Sequence, residues 1–314
     1  MTVFFSTLEQ MAFLLLLLFL GWFLVKKGII PATGASVLSK LESNLFIPAL
    51  MFGTFVQNFT LDRIGTAGRF LLCGTAVVVL SMPMGLALSR LCSRDPYLRK
   101  ICAYGLVFSN FGFMGNAVVE ALFPEVFLEY LIFVLPFWTG IYVWGVPVLL
   151  IPPEGTEKPS LKDRLKPLLN PMFLSVLAGM LAGISGISMP GFLNTAVSSL
   201  GACMSPVAML LTGMTVAVIQ LKPLLRSGPV WRTSLLRLLV IPVAVIGLLQ
   251  LLPLPRDLAV CTVCALAMPL GLNAIVIPSA YGRDTTAAAG MALVSHLLSC
   301  LTIPLVFLLL QSTL

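Results

Sequence analysis

Two short stretches of this sequence place small residues, a proline and side-chain amides inside apolar runs. The first is Ser109-Asn110-Phe111-Gly112-Phe113-Met114-Gly115-Asn116 and the second is Met268-Pro269-Leu270-Gly271-Leu272-Asn273. Proline removes a backbone donor and clashes with the preceding turn, and glycine weakens a helix. Both stretches therefore read as breaks in helices. A broken helix exposes a fresh N-terminus whose N–H groups attract anions. Asn110, Asn116 and Asn273 add amides at the breaks. The candidate substrate-binding residues are Asn110, Gly112, Gly115, Asn116, Pro269, Gly271 and Asn273, with Asn44, one turn before Pro48, as a lesser candidate. His296, in Val294-Ser295-His296, is the chain's single histidine. An ionisable group at that depth is a functional candidate, and histidine titrates near neutral pH, so it is a possible relay for a coupled proton. No Lys or Arg is expected deep in the apolar runs, so an anion would be held by backbone N–H groups, amides and hydroxyls.

Other chemistries find no support. Cys261-x-x-Cys264 has a metal or redox spacing, but there is no second such pair and His296 lies in another segment. The seven cysteines fall mostly in apolar runs, where cysteine acts as a small hydrophobe. No zinc-protease, serine-hydrolase or nucleotide-binding signature is present, so no enzyme, cofactor or metal site is expected. Glu120, Glu125 and Glu129 read as an acidic cluster at the outer surface. Gly179-x-x-x-Gly183 reads as a close helix contact. Trp22, Trp138, Trp144 and Trp231 read as interfacial anchors.

The elements that carry these residues follow from composition. The chain has 314 residues, of which 59% are hydrophobic and 10% charged, with a mean hydropathy of +1.04. Thirty-one charged side chains (19 basic plus 12 acidic) would not cover a soluble protein of this size. That excludes a soluble enzyme, a disordered chain and a nucleic-acid binder, and leaves an all-α polytopic membrane protein. A bilayer core of about 30 Å takes about 20 apolar residues per helix. Ten stretches fit: residues 6–25, 36–57, 67–90, 99–123, 127–151, 168–186, 194–219, 233–252, 258–281 and 286–311. The first lacks a basic leader and a cleavage site, so it reads as a span and not a signal peptide. With an outside N-terminus, 16 basic residues, Arg237 among them, fall on the cytoplasmic side and 3 (Arg63, Arg69 and Arg256) on the other. The positive-inside rule then puts both termini outside the cytoplasm.

Residues 152–167 are rich in proline and charge and read as a cytoplasmic linker, with five spans on each side. The domain expectation is 1–151 as a first five-helix repeat and 168–314 as a second. Five spans per half gives the halves opposite orientations, which is the pattern of an inverted-repeat transporter. The punctuation recurs in register. Pro48 is followed by Gly53 and Pro206 by Gly213; from Pro48 to Gly112 is 64 positions (112 − 48), and from Pro206 to Gly271 is 65 (271 − 206). The breaks thus fall in helices 4 and 9, which are expected to cross.

These motifs together resemble the auxin efflux carrier family in its short bacterial form. The matching stretches are Asn44–Gly53, Ser109–Pro124, Leu169–Gly213 with Asn170-Pro171, Pro190 and Pro206, and Met268–Gly282 followed by Leu293–Pro304. The resemblance implies two inverted five-helix repeats, a fold shared with bile-acid/sodium symporters and plant auxin exporters. Helices 1, 2, 6 and 7 would form a scaffold, often dimeric. Helices 3–5 and 8–10 would form a moving transport domain. The implied activity is secondary transport of a small organic anion, such as malate, malonate or an auxin-like acid, by elevator-type alternating access. No cofactor is implied, with coupling to protons or to membrane potential as the open choice. The implied setting is a bacterial inner membrane, with the lipid bilayer, the anion and a second copy of the chain as partners and no nucleic acid. The family usually has a proline two positions after the glycine of the fourth span; here Gly115 is followed by Asn116-Ala117, so the first break rests on Gly112, Gly115 and Asn116. No acidic residue lies near the ninth-span break, so no sodium site like that of the bile-acid symporters is visible. A channel or substrate-sensing receptor on the same fold is the alternative.

Overall fold

The computed structural model describes residues 2–151, 169–186, 189–218, 226–252, 254–280 and 283–313. The linker expected at 152–167 lies outside these. Among the described residues the chain is all helical, without a β-strand. Six helical stretches are long and apolar enough to cross a membrane: Phe4–Lys26, Leu61–Cys92, Pro124–Leu150, Gly191–Ala217, Gly228–Gln250 and Thr286–Thr313. Phe111–Leu122 and Pro171–Ser185 are shorter apolar helices.

In chain order, α1 is Thr2–Lys26, followed by α2 (Gly34–Leu41) and α3 (Ile47–Asn58), which a π turn at Glu42–Phe46 joins into one bent rod. The proline of this rod, Pro48, follows directly after the π turn, the kind of local irregularity that goes with a residue lacking an N–H inside a continuous helix. Next come α4 (Ile64–Cys92), α5 (Pro96–Val107), α6 (Asn116–Leu122) and α7 (Phe127–Gly140). Asp95 caps α5 by accepting from the Leu98 N–H at 2.7 Å, with Pro96 in the first turn. The second part holds α8 (Pro171–Ser185), α9 (Gly191–Ala202), α10 (Met204–Ala217), α11 (Gly228–Leu235) and α12 (Ile241–Gln250). It ends with α13 (Arg256–Ala267), α14 (Asn273–Ala280) and α15 (Thr286–Thr313). Asn170 caps α8, and Gly186 closes it in the left-handed region at φ 66°.

Glycines mark close helix contacts. Gly213 of α10 lies against the Leu18 backbone of α1, and Gly21 of α1 lies against the Leu210 backbone of α10. Gly179 and Gly183 of α8 lie against the backbone of Phe52 and of Phe55 and Phe59 in α3, so the Gly-x-x-x-Gly pair makes the close helix contact its spacing suggested. Gly74 of α4 meets the Phe133 carbonyl of α7, and Gly85 meets Val107 of α5, while α1 packs along α15 as well as along α10. Large apolar side chains such as Leu72, Leu80, Leu181 and Leu248 are exposed around the outside, as expected of a protein whose solvent there is lipid. Ile101–Val107 of α5 and Leu258–Ala267 of α13, the two segments that lead into the breaks, are buried throughout.

Two charges change their reading here. Glu42, which falls within the second expected span, is fully buried in the π turn, and neither carboxylate oxygen has a hydrogen-bond partner among the described residues. Glu129, taken as part of a solvated acidic cluster, is buried and paired at 2.8 Å with Arg63. That ion pair ties the start of α7 to the turn before α4.

Candidate functional site

Both predicted breaks occur, and they touch. α5 ends at Val107, Phe108 is extended, the chain stays out of the helix through Asn110, and a π turn at Phe111–Gly115 leads into α6. α13 ends at Ala267, Met268 is extended, and α14 begins at Asn273. Ser109 and Leu270 form an antiparallel bridge between the two extended segments. The Asn110 N–H donates to the Pro269 carbonyl at 2.7 Å, and the Ser109 hydroxyl donates to the Ala265 carbonyl at 2.6 Å. From α15, the Ser295 hydroxyl accepts from the Leu270 N–H at 3.0 Å. The backbone groups freed by each break are thus met partly by the other break, as apolar surroundings demand.

The glycines act through the missing Cβ and not through special backbone angles, since none of them has a positive φ. A Cβ on Gly112 would run into the Trp138 ring, and one on Gly115 into the Tyr130 hydroxyl. On Gly271 it would meet the Ser109 carbonyl at 2.8 Å. Tyr130, fully buried on α7, donates to the Phe111 carbonyl at 2.9 Å and fixes the π turn from outside.

Arg237 overturns the expectation that no cation lies deep in the apolar runs. It was counted with the cytoplasmic flank; it is 1% exposed, in a π turn at Leu236–Val240 between α11 and α12. Its guanidinium donates to the carbonyls of Met268 (3.0 Å), Leu106 (2.8 Å) and Ala265 (3.3 Å). Those carbonyls end α13 and α5, the negative poles of the two helices that stop at the crossing. A planar fork of five donors fits such a task. No acid pairs with it among the described residues. The crossing therefore carries a fixed positive charge that its sequence position, in Leu235-Leu236-Arg237-Leu238-Leu239, disguised as a flank. The cytoplasmic count falls to 15 (16 − 1), which leaves its bias over 3 intact.

A cavity of about 10 Å³ lies between the breaks, lined among others by Tyr104, Asn110, Gly112, Trp138, Gly271 and Asn273. That is about the room of one water. The lining is rich in unused polarity. The Tyr104 hydroxyl, the Trp138 indole N–H and the Asn110 Oδ1 are buried without hydrogen-bond partners among the described residues. Trp138 is 4% exposed, so it is a buried wall of the crossing and not an interfacial anchor. Tyr104, Trp138 and Arg237 escaped sequence reasoning; only a polar group inside a long apolar run marked them.

Of the expected site residues, Asn110, Gly112, Gly271 and Asn273 line this cavity. Pro269 contributes its carbonyl to Asn110, and Gly115 holds the π turn close to Tyr130. Asn116 is fully buried, with both amide atoms unpartnered, but it is not among the residues lining the cavity. Asn44 lies elsewhere, exposed on the bent rod, and donates to the Lys40 carbonyl at 2.8 Å. His296 reaches the crossing from α15. Its Nδ1 lies 2.7 Å from the Ala292 carbonyl and its Nε2 lies 3.0 Å from Asn110 Nδ2. A carbonyl can only accept, so Nδ1 carries the proton and Nε2 accepts from the Asn110 amide.

No metal-ligating cluster occurs among the described residues. No curated protein matches the chain. A family model described as membrane transport protein matches residues 6–307. Nearly the whole chain, with its two touching breaks, is covered by that match, and the protein is an integral membrane protein of the auxin efflux carrier family.

Proposed function

We propose that the protein is a secondary transporter, not an enzyme, that moves a small organic anion through the crossing of its two broken helices. One observation carries this reading: a buried guanidinium without an acidic partner stands behind a constriction lined by unpartnered donors, Trp138 Nε1 and Tyr104 Oη. Burying such groups unpaired costs free energy that a bound carboxylate would return. Mono- and dicarboxylates such as malate or malonate, or an auxin-like acid, fit that chemistry.

The ten-helix inverted repeat is part of the proposal. Exchanging helix 1 with 6 and helix 2 with 7 turns the α1·α10 contact into the α8·α3 contact, and both rest on glycine pairs. The antiparallel bridge between the two breaks has the same symmetry. With helices 1, 2, 6 and 7 as scaffold and 3–5 with 8–10 as the transport domain, the two units meet where α1 packs along α15 and also along an open apolar seam. Cavities of about 490 and 550 Å³ lie between α4 and α7 on one side and α8 on the other, α3 also lining the larger. The apolar, loosely filled part of that boundary suits sliding, and the closed crossing then fits an elevator that opens to one side at a time. The orientation we propose has both termini outside the cytoplasm, in a bacterial inner membrane.

The test is uptake of radiolabelled malate by proteoliposomes. Concentrative, saturable uptake is expected, and it separates a transporter from a channel or a receptor. Asn273→Ala and Asn116→Ala are expected to lose most uptake at normal expression. Full uptake in both variants would remove the crossing from the mechanism.

A further inference from the structure

The pair Asn110–His296 sets which atom the crossing shows to its ligand. With Nδ1 committed to the Ala292 carbonyl, Nε2 takes a hydrogen from Asn110 Nδ2. The amide's other end, Oδ1, is left buried and unpartnered, and Asn110 lines the cavity between the breaks. In this state the free atom of Asn110 is an acceptor, which repels a carboxylate oxygen.

We infer that a proton taken up on His296 Nε2 turns the Asn110 amide over, so that proton and anion enter the crossing together. The step is a protonation. A proton from water bonds to the Nε2 lone pair, and no covalent bond of the chain breaks. Nε2–H and Asn110 Nδ2–H are then two donors face to face, and that hydrogen bond is lost. Rotation of the amide about Cβ–Cγ replaces it with Nε2–H donating to Oδ1. The same rotation turns both Nδ2 hydrogens away from the ring to serve the anion. Oxygen and NH₂ are nearly equal in size, so the flip needs little room in a tight site.

Charge makes the two events interdependent. The helices packed against α15 are α1, α5, α10, α11, α12, α13 and α14, together with the π turn that carries Arg237. Their buried titratable groups are Arg237, Cys102, Tyr104, Cys261 and Cys264, with no carboxylate among them. Their acids, Glu9 and Asp257, are exposed, as are Lys26, Tyr97, Arg99, Arg232 and Arg256, while Lys100 is half-buried. An imidazolium would therefore be a second buried cation beside Arg237, with no acid to offset it. The anion supplies the missing charge and the proton supplies the missing donor, so each raises the affinity for the other by the same factor.

This inference rests on the anion reading of the crossing, and the experiment separates the two. Because His296 is the only histidine, ¹⁵N-histidine NMR on the full chain, purified without a histidine tag, reads this ring alone. Malate is the probe. Without malate at about pH 7.5, a pH at which free histidine is mostly neutral, the ring should show the neutral Nδ1–H tautomer. With saturating malate it should become imidazolium, and calorimetry in two buffers should count about one proton taken up per malate, from the linkage of the two equilibria. Affinity should weaken about tenfold per pH unit on the alkaline side, for the same reason. His296→Gln has no titrating ring, so any malate it binds should bind with no proton uptake and no pH dependence. Malate bound to a ring that stays neutral overturns the coupling alone. No malate binding by the wild type overturns the dicarboxylate reading and the coupling with it. The wild-type spectrum decides even if the variant does not fold.

Discussion

Arg237 is the charged side chain that ties the ends of both broken helices together. Three carbonyls depend on it, and a hydrogen bond to a charged group is worth about 1.5–3 kcal/mol. Arg237→Leu leaves those carbonyls buried and unmade, so a loss of at least about 3 kcal/mol is expected. The measurement is thermal unfolding of detergent-purified protein, in which Arg237→Lys should fall between the two. Trp138→Phe tests a different property: it keeps the wall and removes the donor. If Trp138 Nε1 binds the anion, the loss of about 1.5–3 kcal/mol raises the half-saturating malate concentration roughly tenfold or more, with melting temperature nearly unchanged. Uptake kinetics with wild-type affinity would show that the indole N–H does not face the anion. At this scale the sequence was legible where a residue type announces a backbone event: Gly112, Gly271 and Asn110 fall where their types suggested. It was illegible where function depends on distance in space. Asn110 and His296 stand 186 positions apart, and nothing local says that they touch. Arg237 was misread because a cation near an apolar end can either snorkel outward or turn inward, and only the carbonyls it meets decide which.

Among the elements, breaks and kinks separate by what happens to their backbone groups. The prolines at 48 and 206 lie in first turns, after a π turn and after the junction of α9 and α10, and leave their rods continuous. The segments at 108–110 and 268–272 leave the helix altogether and pair with each other. The sequence marks both kinds with the same residues, so it locates irregularity without telling a bend from a gap. The helix starts are more readable. Asp95 before Pro96 caps α5, and Asp95→Ala should cost about 1 kcal/mol in thermal unfolding. Asp284 accepts from the Thr286 N–H at 2.9 Å at the start of α15, and hydrogen bonds from the Thr286 side chain and backbone hold its carboxyl below its usual range. A carboxyl depressed in the folded state stabilises above its unfolded pKa, and that contribution is lost as pH falls through the lower, folded value. Asp284→Ala should therefore lower the melting temperature at neutral pH, and the gap to wild type should narrow as pH drops below about 4. The effect is small, under about 1 kcal/mol, because the group is exposed. A gap that widens in acid would contradict this cap.

For the molecule as a whole, the proposed elevator depends on the two groups of helices moving against each other. Within each group the helices touch through backbone, at Gly21 and Gly213, at Gly179 and Gly183, and at Gly74. Between them lies the apolar seam, where Leu71 of α4 and Leu177 of α8 line the same cavity. Backbone-to-backbone contacts cannot slip without steric clash, whereas side chains across a loosely filled seam can exchange neighbours at little cost. Motion is therefore expected at the seam and nowhere inside the groups. The composition announced a membrane protein and the recurrence of breakers announced two halves, but which helices cling and which slide depends on glycines facing partners far away in sequence. A pair of cysteines tests the division. With the exposed native Cys203 replaced by serine, Leu71→Cys and Leu177→Cys should each transport malate normally, alone or together. A short thiol-reactive cross-linker bridging both should stop uptake, and a reducible linker should restore it on reduction. The control joins two elements of one group, Leu71→Cys on α4 with Leu135→Cys on α7, which also line that cavity; bridging these should leave uptake largely intact. Equal inhibition by both bridges would mean that transport needs flexing within a group, and the elevator division would fall.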